Sequence, residues 1–171
     1  MKQNRPRSLE WGALLFILCQ CTTSYAQGTT IQLEISSQTA IDFTADQSSL
    51  VLQFSDFKKN TVTNTMGVTY SIMANDVVRS DDVVSARLDE AFPDISFQAS
   101  FGTYTERGGD ASLSASQPGF TTVGAADTGL AKKNGGKMLD GTFVITYQAK
   151  ALEDQSAGEQ VRTLTVTFAP V

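Results

Sequence analysis

Histidine is absent from the chain, and cysteine and tryptophan are nearly absent. The two cysteines and the only tryptophan, Cys19, Cys21 and Trp11, all lie within the first 21 residues. Beyond them the chain cannot form zinc sites built from cysteine or histidine, or nucleophile arrangements that need a cysteine or a histidine base. That part of the chain can form no internal disulfide either, so its fold depends on buried apolar surface.

The first 26 residues have the pattern of a secretory signal peptide. Lys2, Arg5 and Arg7 form a basic start, residues 11–18 form a short apolar run, and Ser24-Tyr25-Ala26 matches a small-x-small cleavage site. A helix needs roughly 20 apolar residues to cross a bilayer, so this run is too short to be an anchor. We therefore expect an export signal that is removed.

Cleavage after Ala26 leaves residues 27–171 as a single exported domain. This chain of 145 residues has the usual size of one domain. We expect it to be secreted, held at the cell surface or kept in the periplasm. One alternative is lipid attachment at Cys19 or Cys21, although neither follows the small residue that a bacterial lipoprotein site has.

Acidic residues outnumber basic ones in the expected exported domain. The whole chain has 18 Asp and Glu against 13 Lys and Arg, and removal of the leader takes away three basic residues and one acidic residue. The excess of negative charge that remains opposes binding to nucleic acid or to anionic lipid. We expect protein partners, including further copies of this chain, with no cofactor and no membrane-spanning segment in the exported chain.

Alternating apolar residues recur along the exported part and predict strands with one buried face. The runs cover residues 31–35, 41–43, 50–54, 68–74, 84–88, 95–101, 143–149 and 164–168. Turn-forming residues between them predict turns at 46–49, 107–110, 117–119, 134–136 and 156–158. Short strands separated by turns, without a helical period, predict an all-β fold, specifically an immunoglobulin-like antiparallel β-sandwich.

Two groups of acidic residues are candidates for a calcium site. Asp76, Asp81 and Asp82 lie close together in the sequence, and a second group lies within residues 89–94. Calcium prefers several oxygen ligands that converge from a loop, which makes the first group weak calcium candidates. The spacing matches no EF-hand loop, and solvated loops are the simpler interpretation of both groups.

No residue pattern indicates catalysis, and we expect the protein not to be an enzyme. A glycosidase needs two carboxylates at a fixed separation, and nothing in the sequence selects such a pair. Asn134-Gly135-Gly136 lies among lysines but leads into a strand rather than a helix, so we interpret it as a hairpin tip and not as a phosphate loop. Tyr104 and Phe120 are candidates for a sugar platform, but we interpret them as a loop anchor and a core residue.

The first apolar run has two interpretations. Ile31, Leu33 and Ile35 alternate with polar residues within a few positions of the expected new N-terminus. They resemble the N-terminal extension that subunits of chaperone–usher fimbriae donate to the groove of the next subunit. The alternative is that this run is the first strand of its own domain, because alternation does not identify the partner strand.

The stretch from Tyr147 to the C-terminus is similar to the closing hairpin of bacterial exported surface and fimbrial sandwiches. These resemblances imply an exported structural or adhesive cell-surface component, a fimbrial-type subunit that assembles by β-strand addition through Ile31, Leu33 and Ile35. The missing disulfide departs from many fimbrial subunits. The alternatives are a secreted or periplasmic β-sandwich that binds a ligand or calcium and, from a third class, a carboxylate-based hydrolase.

Overall fold

The computed structural model describes residues 30–37, 42–75 and 82–170, and these residues form strands, turns and bends but no helix. The all-β prediction is therefore confirmed for the described part. The strands are β1 (Thr30–Ser37), β2 (Asp42–Ala45), β3 (Ser49–Gln53), β4 (Met66–Ala74), β5 (Asp82–Leu88), β6 (Ile95–Ala115), β7 (Thr121–Thr122), β8 (Thr128–Ala151) and β9 (Glu159–Pro170).

The strands form one sheet that curls nearly into a barrel. Its order is β2-β4-β8-β5-β9-β1-β3, with β6 paired to β8 and to β7. Among the described pairs only β1 and β9 run parallel, and the others are antiparallel. The two ends of this order, β2 and β3, are consecutive in the chain. Beyond β3, the Asn64 N–H donates to the carbonyl of Gln53 and the Asn64 side chain accepts the Gln53 N–H, at 3.3 and 2.8 Å.

The strands β6 and β8 are much longer than predicted because the chain bends inside them. The turns predicted at 107–110 and 134–136 are wrong, since both segments lie within the paired length of β6 and β8. The pairing register shifts between Glu106 and Gly108 and again between Gly109 and Ala111. The glycines therefore serve β-bulges, which bend a strand and increase its twist.

Bulges and turns both place glycine at positive φ angles, so the same residue type marks both in the sequence. Gly109 has φ 109° and Gly135 has φ 72°. A Cβ atom on Gly109 would overlap the carbonyl oxygen of Met138. Glycine adopts this conformation without strain in a bulge as well as in a turn, so composition alone could not separate the two.

From Phe43 onward the alternation predicted for the strands is confirmed by burial, and it builds an aromatic core. Tyr70, Phe97, Phe143 and Tyr147 are among the largest fully buried side chains. The rings of Tyr70 and Phe143 stack at 5.4 Å between centroids, and those of Phe97 and Tyr147 stack at 5.7 Å. The two tyrosine hydroxyls hydrogen-bond at 2.8 Å, and burial raises the pKa of both. Each buried hydroxyl thus has a polar partner, as burial of such a group requires.

Candidate functional site

The N-terminal strand β1 fills the sheet between the C-terminal strand β9 and β3. Its eight residues pair in parallel with residues 159–166 of β9, and five of them pair antiparallel with residues 49–53 of β3. Among the described strands, β3 and β9 are not paired to each other. We call residues 30–37 with these two partner segments the β1 seam, because β1 joins what would otherwise be two separate edges.

The three residues predicted to take part in strand donation lie in the β1 seam: Ile31, Leu33 and Ile35. In the backbone register they lie opposite Leu52, Leu50 and Leu164, respectively. All three of these leucines are fully buried. Within the single chain, the run therefore pairs with strands of its own domain, opposite residues of the hydrophobic core. The prediction of strand donation is about a second arrangement, in which this strand leaves its own seam and fills the seam of another chain.

The first part of β9 is more polar than its continuation. Gln160 and Arg162 are half-buried, and they are in phase with Leu164, which is fully buried. Within the described part of the chain, the Gln160 Oε1 and Arg162 Nε atoms are buried and have no hydrogen-bond partner. In the parallel register Gln160 lies beside Ile31, and Arg162 lies beside Leu33. The polar atoms without partners thus lie at the N-terminal half of β1.

The loop between β5 and β6 holds Arg162 and the strand that carries it. The Arg162 guanidinium carbon lies 5.3 Å from the centroid of the Phe92 ring, and Nη2 lies 3.6 Å from Glu90 Oε2. The backbone N–H of Asp89 donates to the Thr163 carbonyl at 2.9 Å, and the Asp89 carboxylate accepts the Thr163 N–H at 3.0 Å. These contacts join β9 to the loop that follows β5.

An open groove of about 530 Å³ adjoins the seam at the N-terminal end of β1. Gln53, which lies opposite Thr30, lines the groove together with Phe54 and Val62. Phe54 is almost fully buried and Val62 is 40% exposed. Four of its six lining residues are polar, and Val62 is the exposed apolar residue among them.

The calcium candidates are only partly within the described residues. Asp76 and Asp81 lie outside them, and Asp82 lies in β5 with its backbone opposite Pro170. In the second acidic group, Asp94 has φ 54° and its carbonyl accepts the Leu152 N–H at 2.8 Å. Three or more potential metal ligands come together nowhere in the described ranges. The second group therefore shapes and anchors its loop.

The glycine-rich segment that was predicted as a hairpin tip is a bulge supported by a carboxylate. Asp110 of β6 accepts hydrogen bonds from the backbone N–H groups of Lys137 and Met138, each at 2.7 Å. These bonds lower the pKa of the Asp110 carboxyl. Lys133, one of the lysines beside this segment, is 3% exposed, and its Nζ donates to the Gly135 carbonyl at 3.0 Å. The amides that a phosphate would need are occupied by the protein's own Asp110.

The two aromatic candidates differ from their predicted positions. Tyr104 lies within β6 rather than in a loop, and its ring packs so closely over Gly141 that a Cβ there would overlap it. Burial raises the pKa of Tyr104. The prediction of Phe120 as a core residue is wrong, since its side chain is 40% exposed. It follows Gly119, whose φ of 76° turns the connection between β6 and β7.

The residues that support the seam on β9 were missed from the sequence. The recognised run began at Leu164, although the same even phase continues back through Arg162 and Gln160. Extending the phase of the run would have placed both polar residues on the core-facing side. No pattern along the chain indicated that Phe92 would contact Arg162, because about 70 residues separate them.

No helix in the described part of the chain is long and apolar enough to cross a membrane. No protein-family model matches the sequence, and no curated protein was found to be similar to it. The function therefore has to be argued from the geometry of the β1 seam.

Proposed function

We propose that this protein is an exported structural or adhesive component of the cell surface that assembles by β-strand addition at the β1 seam. In this proposal residues 1–26 are a cleaved leader, and residues 27–171 form an immunoglobulin-like β-sandwich of the fimbrial-subunit type. The observation that supports it most is the position of β1, which fills the sheet between β3 and β9.

Removal of the leader after Ala26 makes Thr30 the fourth residue of the exported chain. The strand β1 is then attached covalently to the rest of the domain only at its C-terminal end. A terminal strand of this kind can leave the seam without drawing the remaining chain through the fold. Exchange of an identical element between copies is a low-cost route to association.

An empty seam is energetically unfavourable. A chain whose β1 has left therefore tends to bind a strand from another chain. Departure of β1 uncovers Leu50, Leu52 and Leu164, which are fully buried when it is in place. Exposing a buried leucine costs about 1.5–3 kcal/mol. The backbone groups of β3 and β9 also lose their partners, and open edges of this kind accept another strand. Either the chain's own β1 or a strand from another chain therefore has to fill the seam.

Disulfide formation between two single-cysteine variants tests the exchange. Val51 is 38% exposed and therefore suited to substitution, and Gln32 lies opposite it in the register of β1 and β3. Opposite residues of antiparallel strands have Cα atoms about 4.5–5.5 Å apart, which is within the range of a disulfide. We expect Gln32→Cys and Val51→Cys chains, mixed and mildly oxidised, to form a mixed disulfide dimer.

The matched control replaces Val51→Cys with Val144→Cys. Val144 is 36% exposed but lies in β8, which does not pair with β1. The proposal requires much less dimer from Gln32→Cys with Val144→Cys than from the seam pair. Equal yields from the two mixtures, or no dimer from either, would show that β1 does not enter another chain's seam. The mass of the purified chain shows whether the leader has been removed. Each variant has a single cysteine only if Cys19 and Cys21 are gone.

A further inference from the structure

When β1 occupies the seam, two polar side chains of β9 keep a buried atom without a hydrogen-bond partner. Leucine and isoleucine have no side-chain atom that forms a hydrogen bond, and Leu33 and Ile31 occupy the register positions beside Arg162 and Gln160. In the described residues the Arg162 Nε–H and the Gln160 Oε1 are buried without a partner. A buried polar group without a hydrogen bond lowers stability, and a charged group does so most strongly.

The carboxylate already close to Arg162 does not remove this mismatch. Glu90 contacts Nη2 at 3.6 Å and its side chain is 76% exposed, whereas the side chain of Arg162 is only 20% exposed. Nη1 donates to the carbonyl of Val161 at 2.8 Å. The Nε–H group is thus a buried donor of this side chain that has no partner among the described residues.

The mismatch is confined to one part of the seam. Further along, Ile35 lies beside Leu164, which is fully buried. An incoming strand must therefore be apolar at the position of Ile35. Two residues earlier, the position of Leu33 lies between Leu50 and Arg162, and a polar acceptor is favoured there through its contact with the guanidinium.

We propose that the preferred occupant of the β1 seam is a strand of another protein that carries a carboxylate in register with Arg162. This inference rests on the proposed function, since it requires that the seam accept strands by addition. A guanidinium group presents planar donors that suit a carboxylate, and such charge-assisted hydrogen bonds are stronger than neutral ones. Exchange of β1 between copies of this chain only reproduces the contacts that β1 already makes. A strand with the carboxylate adds a contact that β1 lacks, and β1 then serves as a replaceable occupant.

Competition between labelled peptides on the full exported chain tests this inference. One peptide has the sequence of residues 28–37, a second carries Leu33→Glu, and a third carries Ile35→Glu. We expect the Leu33→Glu peptide to bind about tenfold more tightly than the unmodified peptide, which corresponds to about 1.4 kcal/mol. The Ile35→Glu peptide should bind more weakly than both, because it places a charge beside Leu164.

Two variants of the protein test whether the gain in affinity depends on Arg162. On Arg162→Met the advantage of the Leu33→Glu peptide should disappear, and on Arg162→Lys, which keeps the charge but lacks the planar donors, it should be reduced. Circular dichroism establishes that each variant is folded. The inference is overturned if the Leu33→Glu peptide binds no more tightly than the unmodified one, or keeps its advantage on Arg162→Met. If no peptide binds, strand addition itself is contradicted and the proposed function fails with it.

Discussion

The contacts of Asp110 illustrate how single residues stabilise the long bend in the sheet. Its Oδ1 atom accepts the backbone N–H groups of Lys137 and Met138. A Cβ atom on Gly136 would overlap this carboxylate, so the missing side chain at that position leaves room for it. One exposed acid therefore satisfies the backbone where the extra residues of β8 cannot pair with β6.

The lowered pKa of Asp110 predicts a loss of stability in acid. Because the folded state favours the ionised carboxylate, the contribution of this group is present above its unfolded pKa of about 3.9. It is lost as the pH falls through the lower folded-state value. We expect the urea midpoint of the wild-type chain to fall more steeply than that of Asp110→Ala between pH 5 and about pH 2.

A matched control for this prediction is Asp127→Ala. The side chain of Asp127 is 63% exposed and lies 3.8 Å from Arg87, a separation at which surface pairs contribute little. This variant should retain the pH dependence of the wild-type chain. If Asp110→Ala also retains it, the two hydrogen bonds do not stabilise the fold in the way that the geometry indicates.

Among the elements, β6 and β8 show the limit of what the sequence could predict. Residues 95–101 and 143–149 were correctly predicted as strands, because alternation reports one buried face. The intervening glycines were assigned to turns, because a bulge and a turn use the same left-handed conformation. Only the pairing across the two strands distinguishes a bend inside a long hairpin from the end of a strand.

Substitution of Gly109 tests whether the bulge depends on glycine. Gly109→Ala forces a side chain into a conformation with φ 109° and against the Met138 carbonyl, so we expect it to cost about 1–3 kcal/mol or more. Gly124→Ala is the control, since no heavy atom lies within 4 Å of its Cβ position. Urea unfolding should give a large loss for the first variant and a small change for the second. Equal effects would mean that the bend tolerates a side chain.

The strand β1 shows a different limit. Ile31, Leu33 and Ile35 marked it as a strand, but alternation carries no information about which strands lie beside it. Its parallel pairing with β9 joins the start of the described chain to its far end. That pairing places Gln160 and Arg162 beside one half of β1, and the sequence alone does not show this arrangement.

For the whole molecule, closure of the sheet depends on the β1 seam. The ends of the strand order, β2 and β3, follow each other in the chain, and β1 connects β3 to β9. A nearly closed barrel leaves few edges open to other chains. The strand β1 completes its own domain, and under the proposed function the same strand links one domain to the next.

The central claim is that assembly requires β1 to leave its own chain, and a reversible lock tests it most directly. In the double variant Gln32→Cys/Val51→Cys, oxidation ties β1 to β3 of the same chain, and reduction releases it. Sedimentation velocity over a range of concentrations measures the size of the particles in both states. The account predicts that the reduced protein assembles as the wild-type chain does and that the oxidised monomer does not. Assemblies of the same size in both states, or monomers alone in both, would contradict it.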